Sequence, residues 1–164
     1  MGSEETHVLV DAGISGKKIE QGLNQLDLTG SDIDAILVTH EHSDHVSGLG
    51  VMARRYHIPV YTTGGTADAI SRMKNMQNLP EDTLHEICED QDFHIKDLTI
   101  HPFSIPHDAA QPVGYRLECQ DKAVGIATDL GKYNEYIVDN LQNLDAILLE
   151  ANHDIHMLQS YPYY

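Results

Sequence analysis

A dense group of metal-ligand residue types directly follows a short apolar segment near residue 40. The apolar segment, residues 35–38, is an unbroken run of Ala-Ile-Leu-Val, which is typical of a strand covered on both faces. The chain then continues with His40, His42, Asp44 and His45. A turn after such a strand lies at its carboxyl end, where ligands commonly bind in α/β proteins. The group therefore favours an α/β fold with a ligand site at the edge of a sheet.

The spacing of these four residues fits a pair of metal ions. His40 and His42 alternate in an extended segment, so both imidazoles can face one ion. Asp44 and His45 follow where the chain turns into a helix, and they can serve a neighbouring ion. Two ions about 3.5–4 Å apart can hold a bridging hydroxide, and Asp44 beside it can orient it and take its proton. The alternative interpretation of the same residues is a polar, solvated loop.

The composition is that of an acidic globular chain. A length of 164 residues predicts a single domain spanning residues 1–164. Asp and Glu total 26 against 10 Lys and Arg, a net charge of −16, which opposes docking on nucleic-acid phosphates unless bound divalent cations reverse the sign locally. No apolar run has the length of a membrane span, so no membrane partner is expected. Two cysteines fit a reduced, cytoplasmic protein, with Cys88 and Cys119 as small buried residues.

The rest of the chain alternates strand and helix patterns, and its second half is richer in strands. Helical spacing predicts helices at 17–28, 46–56, 65–75 and 135–144. Apolar runs predict strands at 7–13, 35–38, 59–62, 98–104, 113–118, 123–128 and 146–149. The polar stretch 77–92 is predicted to be a loop or a hairpin.

Four motifs in order along the chain resemble the metallo-β-lactamase superfamily. The signature His-x-His-x-Asp-His is matched without a gap at residues 40–45 and continues in Val46-Ser47-Gly48. The other matching segments are 10–13 (Val-Asp-Ala-Gly), 105–108 (Ile-Pro-His-Asp) and 127–129 (Ala-Thr-Asp). Three longer phrases, at 10–16, 105–109 and 150–154, are similar to the YycJ/WalJ group within that superfamily, which is regarded as exonuclease-like. The resemblance implies an αββα sandwich of four layers.

The resemblance also implies a set of site residues. It assigns one metal ion to His40, His42 and His107, a second ion to Asp44 and His45, and a bridging position to Asp129. Asp11 is expected to support the ligands from behind or to brace its turn. Asn152 and His153 are expected either to contact substrate or a neighbour of the metal site, or to cap the last strand. Zinc is the first metal expected, and manganese or iron is the alternative.

The chain departs from the family pattern at both ends. Complete members begin with a hairpin before the Val-Asp-Ala-Gly strand, whereas only residues 1–6 precede it here. Complete members also supply a last histidine from a Gly-His segment, which this sequence lacks. The expected fold is therefore a sandwich that is incomplete at both ends. Its unpaired sheet edges predict a possible homodimer.

The function expected from these features is metal-dependent hydrolysis by a metal-bound hydroxide. The resemblance points to a phosphodiester in DNA, cleaved as by an exonuclease. A first alternative is a thioester, lactone or β-lactam of small size, which the acidic charge favours. A second alternative, which the missing histidine favours, is a metal-binding remnant without catalysis.

Overall fold

The computed structural model describes residues 1–150, which form two β-sheets with helices on their outer faces. The first sheet is parallel, in the order β1-β2-β3-β4, with strands β1 Val8–Val10, β2 Ala35–Leu37, β3 Val60–Thr63 and β4 Leu84–Ile87. The second has the order β5-β6-β7-β8-β9, with strands β5 Phe93–Ile95, β6 Leu98–Ser104, β7 Val113–Cys119, β8 Lys122–Ala127 and β9 Ala146–Leu149. It is antiparallel except that β9 runs parallel to β8.

Among residues 1–150, five α-helices connect or cover these strands. They are α1 Gly16–Asn24, α2 Ser43–Val46, α3 Leu49–Tyr56, α4 Gly64–Ser71 and α5 Glu135–Asn140. Two 3₁₀ turns lie at Gly30–Asp32 and Lys74–Met76. No helix among residues 1–150 has the length and apolar character needed to cross a membrane.

Within the described part of the chain, the core consists of three hydrophobic clusters, one between each pair of adjacent layers, so the molecule is an αββα sandwich of four layers. Helices α1 and α3 pack on the outer face of the first sheet, with Leu49 and Met52 of α3 fully buried near Ile36. The space between the sheets is filled by residues such as Leu37 and Tyr115, which are both fully buried. On the far side, α5 packs against the second sheet in a cluster made of Phe103, Ile105, Ala127 and Ile137. The fold predicted from the sequence is confirmed.

The elements that carry the predicted site residues converge at one end of this sandwich. Because β1 and β2 are parallel, their carboxyl ends meet at the same edge of the first sheet. Asp11 follows β1 and its backbone N–H donates to Leu37 O at 2.8 Å. The second sheet joins this edge through Val113 N, which donates to Thr39 O at 3.0 Å.

Several predicted boundaries differ from the structure. The helix predicted at 17–28 ends at Asn24, and that at 135–144 ends at Asn140. The stretch 77–92 contains β4, an outer strand of the first sheet whose residues His85 and Glu86 are exposed, so its sequence carries little apolar signal. The two cysteines are not buried as expected, since Cys88 is exposed and Cys119 is partly exposed.

Gly13 gives a test of the packing that positions the ligand turn. A Cβ at Gly13 would lie 1.4 Å from the backbone oxygen of Asp44, so the backbone has to move to accommodate it. We expect Gly13→Ala to destabilise the fold by about 2 kcal/mol or more, which is the usual cost of an overpacked site. The free energy of unfolding from urea titration measures this.

Gly22→Ala is the matched control. Gly22 lies on the exposed side of α1, and a Cβ there meets nothing within 4 Å. This substitution should stabilise the fold by about 0.4–1 kcal/mol, because alanine restricts the unfolded chain and favours helix. Equal unfolding midpoints for the two variants would contradict the packing described for Gly13.

Candidate metal centre

His40 is the central residue of the site. It follows β2, its side chain is fully buried, and its Nδ1 lies 3.0 Å from Thr39 Oγ1. Its Nε2 is buried and makes no hydrogen bond within the described residues. A buried polar atom without a partner is uncommon and calls for an explanation, such as an ion that binds there.

The first donor cluster consists of His40, His42 and His107. One ring nitrogen from each lies within 4.8 Å of the others. His42 Nδ1 and His107 Nε2 are 3.1 Å apart, although residues 42 and 107 are far apart in sequence. Three converging imidazoles are a common ligand set for zinc.

The second donor cluster consists of His40, His45 and Asp129, whose donor atoms also lie within 4.8 Å of one another. Asp129 Oδ2 is 2.9 Å from His45 Nε2 and 3.8 Å from His40 Nε2. Despite this proximity, the buried Oδ2 makes no well-formed hydrogen bond with the described residues. Since His40 belongs to both clusters, the two donor sets adjoin each other.

Asp11 supports both clusters from behind without joining either of them. Its Oδ1 accepts from Thr39 N at 2.8 Å, and its Oδ2 accepts from Thr39 Oγ1 at 2.8 Å. The same Oδ2 lies 2.8 Å from His45 Nδ1, which leaves His45 Nε2 to face Asp129. Such a carboxylate fixes the orientation of a metal-binding imidazole.

The two aspartates that follow β1 and β8 share an unusual backbone conformation. Asp11 has φ of 60° and Asp129 has φ of 55°, both in the left-handed region. Aspartate tolerates this region better than most residues because its short polar side chain bonds locally. The Asp129 N–H donates to Glu150 Oε2 at 2.9 Å, so the end of β9 supports this turn.

The electrostatic environment differs between the donors. Burial, together with the charges of His45, His107 and His42, lowers the pKa of His40 to about 3, which keeps its imidazole neutral. Burial also acts to lower the pKa of His45, but the Asp11 hydrogen bond and the charges of Asp11, Asp129 and Asp44 outweigh it and raise that pKa. Burial and the neighbouring Glu150 raise the pKa of Asp129. A cation between these groups would offset the cost of the buried carboxylate.

The donor atoms fit divalent metal ions. Four buried side-chain atoms lack a hydrogen-bond partner among residues 1–150, and they belong to two short segments at this site: His40 Nε2, Glu41 Oε2, Thr128 Oγ1 and Asp129 Oδ2. Two of these atoms, His40 Nε2 and Asp129 Oδ2, are members of the donor clusters. A mixed set of imidazole nitrogens and a carboxylate oxygen suits zinc, and manganese remains compatible with it.

The structure brings together five of the six residues expected to bind metal: His40, His42, His45, His107 and Asp129. The sixth, Asp44, lies beside them at the start of α2, with its Oδ2 3.7 Å from His45 Nε2 and its side chain 79% exposed. Asn152 and His153 lie outside the described residues.

Three supporting residues had no predicted role, namely Thr39, Glu41 and Glu150. Each forms a hydrogen bond with a residue distant in sequence: Thr39 with Asp11, Glu41 with Ala110, and Glu150 with Asp129. Only their positions in the sequence could have indicated a supporting role. Thr39 and Glu41 flank the first histidine, and Glu150 directly follows an apolar run that predicts a buried strand.

Comparison with curated proteins identifies relatives that are longer than this chain. It is 36% identical over 159 residues to exodeoxyribonuclease YycJ of Bacillus anthracis, a match covering 97% of this chain and 60% of the relative. It is 38% identical over 156 residues to exodeoxyribonuclease WalJ of Streptococcus pneumoniae, covering 95% and 58%. The chain thus spans about three fifths of the length of these relatives.

Solved structures share the fold at low sequence identity. Zn²⁺-bound PqqB from Methylobacterium extorquens has a TM-score of 0.78 at 20% identity, covering 92% of this chain and 58% of that one. A metallo-β-lactamase from Cronobacter sakazakii has a TM-score of 0.70 at 19% identity, covering 90% and 70%. The family model described as the β-lactamase superfamily domain matches residues 6–160. The chain therefore belongs to the β-lactamase superfamily.

Proposed function

We propose that this chain is a metal-dependent hydrolase with a centre for two divalent cations. The observation that carries the proposal is the buried, unpartnered Nε2 of His40, which adjoins the donors of both clusters. In this proposal His42 and His107 complete one site, and His45 contributes to the other. Asp129 lies between them, which is supported by the short distances from its Oδ2 to His45 and His40.

Each residue of the proposed centre has a defined task. Divalent cations, when bound, lower the pKa of water and stabilise negative charge that develops on a substrate. Asp11 holds His45 in one orientation, and Thr39 fixes Asp11 in turn. Asp44 points its exposed carboxylate toward solvent beside His45, a position from which it can contribute to metal binding, orient a water molecule and accept its proton.

The proposed substrate is a phosphodiester in DNA, cleaved from an end of the strand. Support comes from the two exodeoxyribonucleases, whose similarity extends over nearly all of this chain. The site itself is rich in carboxylates, since Asp11, Glu41, Asp44, Asp108 and Asp129 lie in or beside it. Such a site repels phosphate unless cations compensate, so DNA binding should require the metal.

A small thioester, lactone or β-lactam is the second candidate substrate. The net charge of −16 favours it, because an acidic surface repels a small molecule with few negative charges less than it repels a DNA strand. Salt dependence separates the two candidates, since phosphate binding weakens steeply as salt is added and binding of a neutral molecule does not.

Metal content provides the first test. Elemental analysis of the dialysed protein should give about two divalent ions per chain, and His107→Ala should reduce this to about one. The reason is that His107 contributes only to the first cluster, whereas His45 and Asp129 keep their donors.

His94→Ala is the matched control for this test. His94 is an exposed histidine on β5 whose Nδ1 contacts Thr99 Oγ1 at 3.2 Å, and it belongs to neither cluster. Its replacement should leave the metal content unchanged. An equal metal content in the His107 and His94 variants would contradict the proposed ligand assignment.

Nuclease activity provides the second test. End-labelled linear DNA should release mononucleotides when zinc or manganese is supplied, and a chelator should abolish the reaction. Asp44→Asn should slow it by about 10²–10⁴-fold, the usual contribution of a positioned acid or base, with at least one ion retained. Asp68→Asn, on the exposed side of α4, is the charge-matched control and should retain full activity.

Two results would overturn the DNA assignment. Hydrolysis of a chromogenic β-lactam, a lactone or a thioester without DNA cleavage would favour the small-molecule candidate. Metal binding without hydrolysis of any of these substrates would favour a metal-binding domain that has no catalytic activity.

A further inference from the structure

Glu41 occupies the position between the first two histidines and reaches a different segment of the chain. Its Oε1 accepts a hydrogen bond from the backbone N–H of Ala110 at 2.8 Å. Ala110 lies three residues after His107, in the loop that connects β6 to β7. The contact therefore joins the two segments that supply the first donor cluster.

The loop that carries His107 is closed at its base by main-chain hydrogen bonds. Ile105 N donates to Pro112 O at 3.2 Å, and Val113 N donates to Thr39 O at 3.0 Å. These bonds fix where the loop leaves and rejoins the second sheet. The path of residues 106–111 between these two points depends on other contacts.

Further hydrogen bonds hold both flanks of the same loop. Gln111 O accepts from Thr63 Oγ1 at 2.7 Å, and Gln111 Oε1 accepts from Gly65 N at 2.8 Å, which attaches the loop to the start of α4. On the other flank, Pro106 O accepts from Gly131 N at 3.0 Å. Glu41 contacts the loop between these attachments, from the segment that carries His40 and His42.

The second carboxylate oxygen of Glu41 distinguishes this contact from an ordinary surface hydrogen bond. Oε2 is buried and has no hydrogen-bond partner among residues 1–150. A buried carboxylate oxygen that lacks a partner is costly, so this residue is poorly explained by stability alone. Its one hydrogen bond within residues 1–150 holds the loop that carries a metal donor.

We propose that Glu41 is a positioning residue that holds the 106–111 loop so that His107 faces His42. The 3.1 Å separation of His42 Nδ1 and His107 Nε2 is the geometry that it maintains. The effect of Glu41 on metal affinity rests on the proposed function, whereas its role in holding the loop through the hydrogen bond from Ala110 does not. A residue of this kind usually changes metal affinity by about 10–100-fold when it is replaced.

The test compares Glu41→Ala with Glu41→Gln. Both substitutions remove the charge, but only glutamine keeps a side-chain oxygen that can accept from Ala110 N. Glu41→Ala should weaken zinc binding at the His40, His42 and His107 cluster by about tenfold or more, and Glu41→Gln should restore most of it. Calorimetric titration measures the two affinities, and cobalt absorption spectra report the loss of one imidazole ligand.

Hydrogen exchange of the Ala110 amide in the metal-free protein is the second measurement. It should be about tenfold faster or more in Glu41→Ala than in the wild type, and close to wild type in Glu41→Gln. Glu81→Ala, an exposed carboxylate outside the site, is the charge-matched control and should change neither quantity. Urea unfolding confirms that each variant is folded.

The outcomes separate this proposal from the proposed function. If the wild type binds no metal, the proposed function fails, and Ala110 exchange still decides the role of Glu41. If Glu41→Ala leaves Ala110 exchange unchanged within about twofold, the hold on the loop is refuted. If Glu41→Gln is as defective as Glu41→Ala, the hydrogen bond is not the cause and the proposal is overturned.

Discussion

The carboxylate of Asp11 forms the interaction on which the rest of the site depends. It accepts from the backbone and the hydroxyl of Thr39 and contacts His45 Nδ1, all at 2.8 Å. One side chain thereby fixes the ends of two parallel strands and the orientation of an imidazole beyond them. Thr39 also contacts His40 Nδ1, so the same group extends to the histidine shared by both clusters.

Burial then determines the chemical state of that shared histidine. The pKa of His40 is lowered to about 3, which leaves a neutral ring that cannot balance the carboxylate of Asp129 nearby. Burial and the neighbouring Glu150 raise the pKa of Asp129, while the charge of His45 acts in the opposite direction. Burial is the largest cause of both pKa shifts, and a cation held between the two groups would stabilise the charged carboxylate of Asp129.

Sequence reasoning predicted what is local and missed what depends on tertiary contacts. The αββα layers were implied by the family resemblance, and the strand Ala146–Leu149 follows from its apolar run. This strand was predicted to be buried, but all four of its residues are exposed in the structure. β4 was not predicted because an outer strand with exposed polar residues carries little such signal. Among the site residues, the alternating histidines are visible in the sequence, whereas the contact from Glu41 to Ala110 spans 69 residues and has no local pattern. The roles of the metal-binding residues and the predicted homodimer stay predictions.

The donors come from both sheets, and this ties the centre to the architecture. His40, His42 and His45 follow a strand of the parallel sheet, whereas His107 and Asp129 follow strands of the antiparallel one. Ions held by both sets would cross-link the sheets at the end where the turns meet, so binding would contribute to folding as well as to chemistry. The acidic composition is consistent with this coupling. Carboxylates repel one another in the metal-free site and destabilise the fold, whereas bound cations would attract them and stabilise it. Stability and function of this chain are therefore expected to change together with metal content.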